Sequence, residues 1–280
     1  MRIAIFGASG FVGRHLVDAL QRRGDEVRTG SIRDPQAGAA LAEGCDAIVN
    51  LAGEPIAQKW SDDVKQKMER SRTQAPRALL DALASVANKP HAYISASAVG
   101  YYGTSEDATF TEESGPGNDF LARICVAWER EAQRAADLGM RVTRVRTGVA
   151  LGAGGGVMEK LLPPFKMGAG GRVGSGKQWY SWVHIDDLIG VYELALGGVD
   201  GALNATAPNP VRNADFTHEL GKALHRPTIF PVPQFAIKSL LGEGAVAVLE
   251  GQRVLPQRTQ AEGYVFRFPT IDAAFADVLR

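Results

Sequence analysis

The stretch "FGASGFVG", residues 6–13, decides how the rest of the chain is read. Gly7, Gly10 and Gly13 recur at three-residue spacing, directly after the apolar run "RIAIF" (2–6) and at the start of "FVGRHLVDALQRRG" (11–24). The first run reads as a strand. The second reads as a helix, with Val12, Leu16, Ala19 and Leu20 on its apolar side and Gly24 as a stop. In such a strand-turn-helix unit each glycine has its own reason. Gly7 allows the tight turn, Gly10 lets backbone approach a pyrophosphate, and Gly13 lets helix and strand pack closely. A plain βα turn would not need three. The unit predicts a dinucleotide site in which Ser9, Phe11 and Val12 share the loop with the glycines.

Outward from this loop the alternation continues. "EVRTGS" (26–31), "DAIVNLAG" (46–53), "AYISAS" (92–97) and "RVTRVRTGVAL" (141–151) read as strands, and a long helical region covers roughly 60–87. "DFLARICVAWERE" (119–131) reads as an amphipathic helix capped by Asp119, with Phe120, Ile124 and Trp128 at i, i+4 and i+8 and Leu121 and Cys125 beside them. This is the βαβ pattern of an α/β protein with a Rossmann-type doubly wound parallel sheet. After residue 151 glycine- and proline-rich loops take over, as in "GAGGRVGSGK" and "PVPQF". We therefore expect a dinucleotide-binding domain over 1–150, completed by about 179–207, and a small mixed C-terminal substrate lobe in 151–280.

The end of the second strand bears on the cofactor. An NAD site carries Asp or Glu there, bonded to the ribose hydroxyls. Here "TGSIRD" places Ser31 at that position and Arg33 just after it. A hydroxyl and a guanidinium suit a 2′-phosphate, so NADP(H) is expected, with NAD as the alternative. The competing account makes Arg33 a solvated charge paired with Asp34.

Composition adds bounds. The 280 residues are 45% hydrophobic and 22% charged, with a formal net charge of zero. Such a balance gives no ground for nucleic acid or an anionic membrane as partner. The expected partner is a small-molecule substrate, and the protein a monomer or homodimer. The two cysteines, Cys45 and Cys125, stand in apolar surroundings without metal-ligand spacing. They read as buried free thiols in a reducing compartment, so a cytoplasmic protein without a metal is expected. No apolar run approaches the ~20 residues of a membrane span.

Several further stretches carry a resemblance. The Gly-x-x-Gly-x-x-Gly spacing resembles the extended type of short-chain dehydrogenase/reductase. "NLAG" (50–53) is similar to the segment that lies along the cofactor in that family, which implies contacts from Leu51, Ala52 and Gly53, and from Ser95 on the neighbouring strand. "ISASAVGYYG" (94–103) resembles the family's Ser-Ser-x-x-Val-Tyr-Gly strand end and puts Ser97 at the catalytic serine position. "WVHIDDL" (182–188) and "NATAPNPV" (204–211) agree as well. More narrowly, "NLAGEPI", "DFLARICVAWE" and "GGRVGSGKQWYSWVHIDDL" resemble the branch known as epimerase family proteins, related to NAD-dependent epimerases and dehydratases.

The resemblance fails at one place. Active members carry a Tyr and, four residues on, a Lys on one helix turn. The lysine charge lowers the phenol pKa, and the phenol exchanges a proton with substrate. Aligning Glu129 with the glutamate that follows puts Leu121 and Cys125 at those two positions, and no Tyr in the chain has a Lys four residues later. Neither side chain can replace the pair.

Other groups are candidates for the missing chemistry. Tyr101 and Tyr102 follow Ser97 at the ligand end of a strand, and either phenol is a candidate acid. The alternative is that both rings pack an interface between lobes. Glu54 stands at another strand end, as a substrate ligand or base, or as a carboxylate at a helix N-terminus. Arg146 ends a strand on the ligand side, where substrate contact is expected. Arg172 and Lys177, in the loop 168–178, suit an anionic substrate such as a nucleotide sugar, or are solvated charges on a hairpin. His184 reads as a structural histidine beside Asp186 and Asp187. The expected function is an NADP(H)-binding oxidoreductase or nucleotide-sugar epimerase with an atypical active site. The rival is a non-catalytic NADP(H)-responsive binding or regulatory protein.

Overall fold

The computed structural model describes residues Met1–Arg280. Six strands form the central sheet: β1 (Arg2–Phe6), β2 (Glu26–Gly30), β3 (Ala47–Asn50), β4 (Ala92–Ala98), β5 (Arg141–Thr147) and β6 (Gly201–Ala205). Every pairing is parallel, and the spatial order is β2-β1-β3-β4-β5-β6. The order reverses between β1 and β3. That reversal opens a crevice outside the carboxyl ends of the strands, where α/β sheets bind ligands.

The central strands β1, β3 and β4 are buried on both faces, which is why they read as largely apolar runs rather than alternating ones. Ile3 and Ile5 of β1 face one layer with Leu16 and Leu20 of the helix Phe11–Arg22 and Leu188 and Tyr192 of the helix Ile185–Leu196. Ala4 and Phe6 face the other layer, with Leu79 and Leu83 of the helix Gln74–Leu83 and Ala132 of the helix Phe120–Gln133. A third core gathers Leu151, Met158, Phe165, Trp182, Phe216 and Phe275 from the last 130 or so residues. No helix is long and apolar enough to cross a membrane.

Two elements differ from the sequence reading. The helical region 60–87 is two helices, Asp62–Arg72 and Gln74–Leu83, hinged at Thr73, with Pro76 in the first turn of the second, where a missing N–H costs least. The strand 141–151 is two strands, because β5 ends at Thr147 and Val149–Leu151 pairs instead with Trp182–His184. Gly148 makes that switch: a Cβ there would lie 2.2 Å from the Ser181 carbonyl oxygen, so only glycine lets the two chains meet.

The segment "WVHIDDL" proves to be a clamp. His184 caps the helix Ile185–Leu196 by accepting from the Asp186 amide at 3.1 Å. Asp187, fully buried, accepts from the Arg267 and Phe268 amides at 2.8 and 3.0 Å and from the Tyr264 hydroxyl at 3.0 Å. Burial lowers the His184 pKa, and its ring lies against Phe268.

Candidate functional site

The glycine loop has the geometry a dinucleotide needs. Gly7 is left-handed at φ +86°, and a Cβ on it would meet Leu51 and Ala52 backbone at 2.8–2.9 Å. The turn therefore presses β1's end against the segment after β3. A Cβ on Gly13 would come 2.3 Å from the Gly7 carbonyl oxygen, so the helix sits directly on the turn. Gly10 caps that helix in an extended conformation (φ −72°, ψ 171°) without any side-chain cap. The first-turn amides are thus left for an external anion, with the positive end of the helix dipole behind them. Phe11 is held by its ring, which Gly152, Gly155 and Gly156 approach so closely that a Cβ on any of them would come within 3.0 Å. Ser9 gives its carbonyl to Arg14 Nη1 at 2.8 Å, and Val12 is half-buried at the helix start.

The end of β2 carries Ser31 and Arg33, both exposed. Ser31 Oγ accepts from the Arg33 amide at 3.2 Å. Asp34 does not pair with Arg33. It caps the helix Pro35–Ala42, accepting from Ala37 N at 3.0 Å. The Arg33 guanidinium makes no hydrogen bond or ion pair within the protein, so its fork is available to a ligand phosphate. Leu51 and Ala52 line the turn beside Gly7, and Gly53 follows, exposed. Ser95 is buried in the sheet and gives its hydroxyl to the Ala96 carbonyl. Beside it Asn50 bridges Tyr93 Oη and the Ala52 amide, which fixes the loop after β3.

Behind the cleft lies a buried polar network. Arg146 binds Glu129 through both nitrogens of its fork, Nε to Oε1 at 2.7 Å and Nη2 to Oε2 at 2.8 Å. Ser97 Oγ donates to the same Oε1 at 2.7 Å. Arg146 Nη1 donates to Tyr102 Oη at 2.9 Å, and that hydroxyl donates to Asn204 Oδ1 at 2.7 Å. Burial pushes the Tyr102 phenol up to about 12. Burial by itself would lower the Arg146 pKa, but the bonds to Glu129 more than offset it and the group stays charged. The structure thus brings Ser97, Tyr102 and Arg146 together, with Arg146 only 4% exposed. Tyr101 differs. It is half-buried, its ring lies 3.5 Å from the Arg146 guanidinium, and its hydroxyl has no partner within the protein.

The remaining candidates are dispersed. Glu54 lies in a loop, not at a helix N-terminus, and its Oε1 accepts from Gln58 Nε2 at 3.0 Å. Lys177 borders an open hollow of about 470 Å³ that also includes Glu106, Asp107, Arg212 and Asp215. Arg172 is exposed and bonds the Ser175 carbonyl at 3.2 Å.

The helix Phe120–Gln133 explains what fills the space of the absent pair. Asp119 caps it by accepting from Ala122 N at 2.8 Å. The turn Val99–Tyr102 lies directly on it: a Cβ on Gly100 would be 3.5 Å from Leu121 Cβ and 3.7 Å from Cys125 Sγ. Cys125 is 5% exposed, and burial pushes its thiol up to about 12. Sequence reasoning missed Glu129 as a member of this network, together with Asn204. The signal for Glu129 was present, since it stands at i+4 and i+8 from Cys125 and Leu121, a carboxylate on the apolar face.

Comparison with known proteins bears on this arrangement. Residues 3–205 match the NAD dependent epimerase/dehydratase family, and residues 232–278 match a domain of unknown function, DUF1731. The chain belongs to that epimerase/dehydratase family, as an atypical extended short-chain dehydrogenase/reductase of the epimerase-family-protein branch. It is 40% identical, over its full length and 87% of the relative, to the chloroplastic epimerase family protein SDR39U1 homolog of Arabidopsis thaliana. It superposes on the crystal structure of the human epimerase family protein SDR39U1 (isoform 2) with NADPH at a TM-score of 0.94 and 36% identity, covering 99% of both chains. A nucleoside-diphosphate sugar epimerase from Corynebacterium glutamicum is 36% identical with a TM-score of 0.79, covering all of this chain and 58% of that one.

Proposed function

We propose that the protein is an NADP(H)-dependent oxidoreductase or epimerase that works without the Tyr-x-x-x-Lys pair. The observation that carries this reading is the unengaged Arg33 fork at the end of β2, in line with a glycine loop whose first helix turn lacks a side-chain cap. Gly7, Gly10 and Gly13 admit the pyrophosphate, the amides from Phe11 onward bind it, and Ser31 with Arg33 hold the 2′-phosphate. The NADPH-bound relative supports the same cofactor here. The nicotinamide, when bound, supplies hydride exchange; the chain supplies position and the proton.

For the proton, Tyr101 is the group the geometry favours. Its hydroxyl is unengaged, whereas that of Tyr102 is committed to Arg146 and Asn204 and that of Ser97 to Glu129. Ser97, Glu129 and Arg146 then form the rigid floor on which the Tyr101 ring rests. A nucleotide sugar is the substrate class that the Corynebacterium relative supports, with Glu54, Arg172 and Lys177 as candidate ligands. Two buried free cysteines support a reducing compartment.

One observation favours a second reading. Leu121 and Cys125 are roofed by Gly100, so this helix turn offers the cofactor neither a phenol nor an amine, as a non-catalytic NADP(H)-responsive binding protein would have it. Screening nucleotide sugars and small carbonyl compounds with NADPH separates the two. Turnover of any of them upholds the enzyme. Binding of NADPH with no turnover, and an altered affinity for a protein partner on binding, upholds the alternative.

A further inference from the structure

Two arginines of this chain are buried, Arg72 at 7% and Arg146 at 4% exposure. Arg146 has Glu129 as its counter-charge. Arg72 has none: no carboxylate lies within ion-pair distance of it, and the carboxylate of its neighbour Glu54 is turned to Gln58. Its Nη1 donates to the Met68 carbonyl at 3.2 Å and its Nη2 to the Glu54 carbonyl at 2.9 Å. A guanidinium has five N–H groups, so three are left without a protein acceptor. A charge removed from water and left without an opposite charge is costly, so the free N–H groups call for an acceptor from outside the protein.

The position of Arg72 says which ligand. Its Cζ and Nη2 lie 3.2 Å from where a Cβ on exposed Gly53 would be. Gly53 follows Leu51 and Ala52, which pack against Gly7, so the guanidinium borders the crevice at the sheet's switch point. On its other side Arg72 lies over the Trp128 ring, Cζ 4.9 Å from the centroid. Trp128 is on the helix that carries Leu121 and Cys125, less than one turn beyond the thiol. The Trp128 indole Nε1–H is itself buried without a partner. Arg72 therefore spans the gap between the glycine loop and the helix turn at Leu121 and Cys125, which carries no cation.

We propose that Arg72 is an oxyanion-binding residue of this cleft and supplies the positive charge that Cys125 does not. Its ligand is either a phosphate of the dinucleotide or the anionic group of the substrate. The proposal rests on the reading of the cleft as an NADP(H) site, but one arm of its test does not.

Wild type, Arg72→Gln and Arg72→Lys are titrated by calorimetry with NADP⁺, and with inorganic phosphate both without and with saturating NADP⁺. A charged hydrogen bond is worth roughly ten- to a hundredfold in affinity. If Arg72→Gln weakens NADP⁺ by that factor and Arg72→Lys by much less, the dinucleotide phosphate is the ligand. If NADP⁺ affinity holds while phosphate binding, present in wild type, is lost in Arg72→Gln, the substrate's anion is the ligand. Affinities unchanged within twofold in both arms would reduce Arg72 to a clip for the loop after β3 and overturn the proposal. So would failure of both variants to fold, or a wild type that binds neither probe. A wild type that binds phosphate through Arg72 but no NADP⁺ would sink the cofactor reading and leave the anion site standing.

Discussion

Arg146 and Glu129 are joined inside the protein by two hydrogen bonds, 2.7 and 2.8 Å long, with Ser97 and Tyr102 attached at either end. The strand β5 and the helix Phe120–Gln133 are locked together there, and Tyr101 rests on the pair. Such a pair is strong evidence of fixed geometry and weak evidence of net stability, because both ions are desolvated.

Removing one partner should therefore hurt far more than removing both. Glu129→Ala is expected to cost about 3–5 kcal/mol, since it leaves Arg146 charged and uncompensated. Glu129→Leu combined with Arg146→Met should recover most of that loss, leaving about 1–2 kcal/mol for the bonds no longer made to Ser97 and Tyr102. Urea unfolding of wild type and the two variants measures it. A double variant as unstable as the single would show that the pair itself stabilises the fold.

The glycines should separate binding from folding. Gly10→Val puts branched atoms where a pyrophosphate would lie, while its Cβ meets only the Gly7 carbonyl at 3.3 Å, so cofactor binding should vanish and the fold survive. Gly13→Ala, whose Cβ would be 2.3 Å from the Gly7 carbonyl oxygen, should lose both binding and stability. Calorimetry and thermal unfolding give the two readouts. Wild-type affinity in Gly10→Val would move the phosphates elsewhere.

Cofactor choice should depend on one exposed guanidinium. NADP(H) should bind tighter than NAD(H), and Arg33→Ala should remove roughly ten- to a hundredfold of NADP(H) affinity, as for a charged hydrogen bond, with little change for NAD(H). Equal affinities for the two cofactors in wild type would mean that Ser31 and Arg33 do not read the 2′-phosphate.

The two tyrosines should part company. On a substrate found by screening with NADPH, Tyr101→Phe should abolish turnover with the fold intact. Tyr102→Phe should act on stability instead, by about 1–3 kcal/mol, because it leaves Asn204 and Arg146 short of a buried partner. Full turnover in Tyr101→Phe ends its candidacy as the acid.

Cys125 should be inert in the native state. Its folded pKa, pushed to about 12 by burial, stands above the ordinary thiol value of 9.0. The unfolded chain thus releases its proton first, and stability falls as pH rises from about 9 toward 12. Cys125→Ser should flatten that fall and change stability at neutral pH by only about 1 kcal/mol through packing and a buried hydroxyl, with cofactor affinity near wild type. Rapid alkylation of native Cys125 at pH 8, or loss of turnover in Cys125→Ser with Tyr101→Phe active, would make the thiol a functional group.

By itself the sequence determined the parallel sheet, because β1, β3 and β4 are buried on both faces and their composition must say so. It determined the dinucleotide turn as well, because a left-handed Gly7 and a Gly13 pressed to 2.3 Å admit no other residue. Local chemistry was enough for both. It also showed that the Tyr-x-x-x-Lys pair is missing, since an absence from one helix turn is a local fact. What only the tertiary structure decided were the partners of charges far apart in the chain. Whether Arg33 pairs with Asp34 turned on the helix cap that Asp34 makes. Whether Tyr101 or Tyr102 keeps a free hydroxyl turned on Asn204, some hundred residues away, and on Arg146. Arg72 looked like any arginine on a charged helix until folding placed it against Gly53 and Trp128, beyond ion-pair distance of any carboxylate. Periodicity reports which residues are buried; only the assembled fold reports what a buried charge meets there.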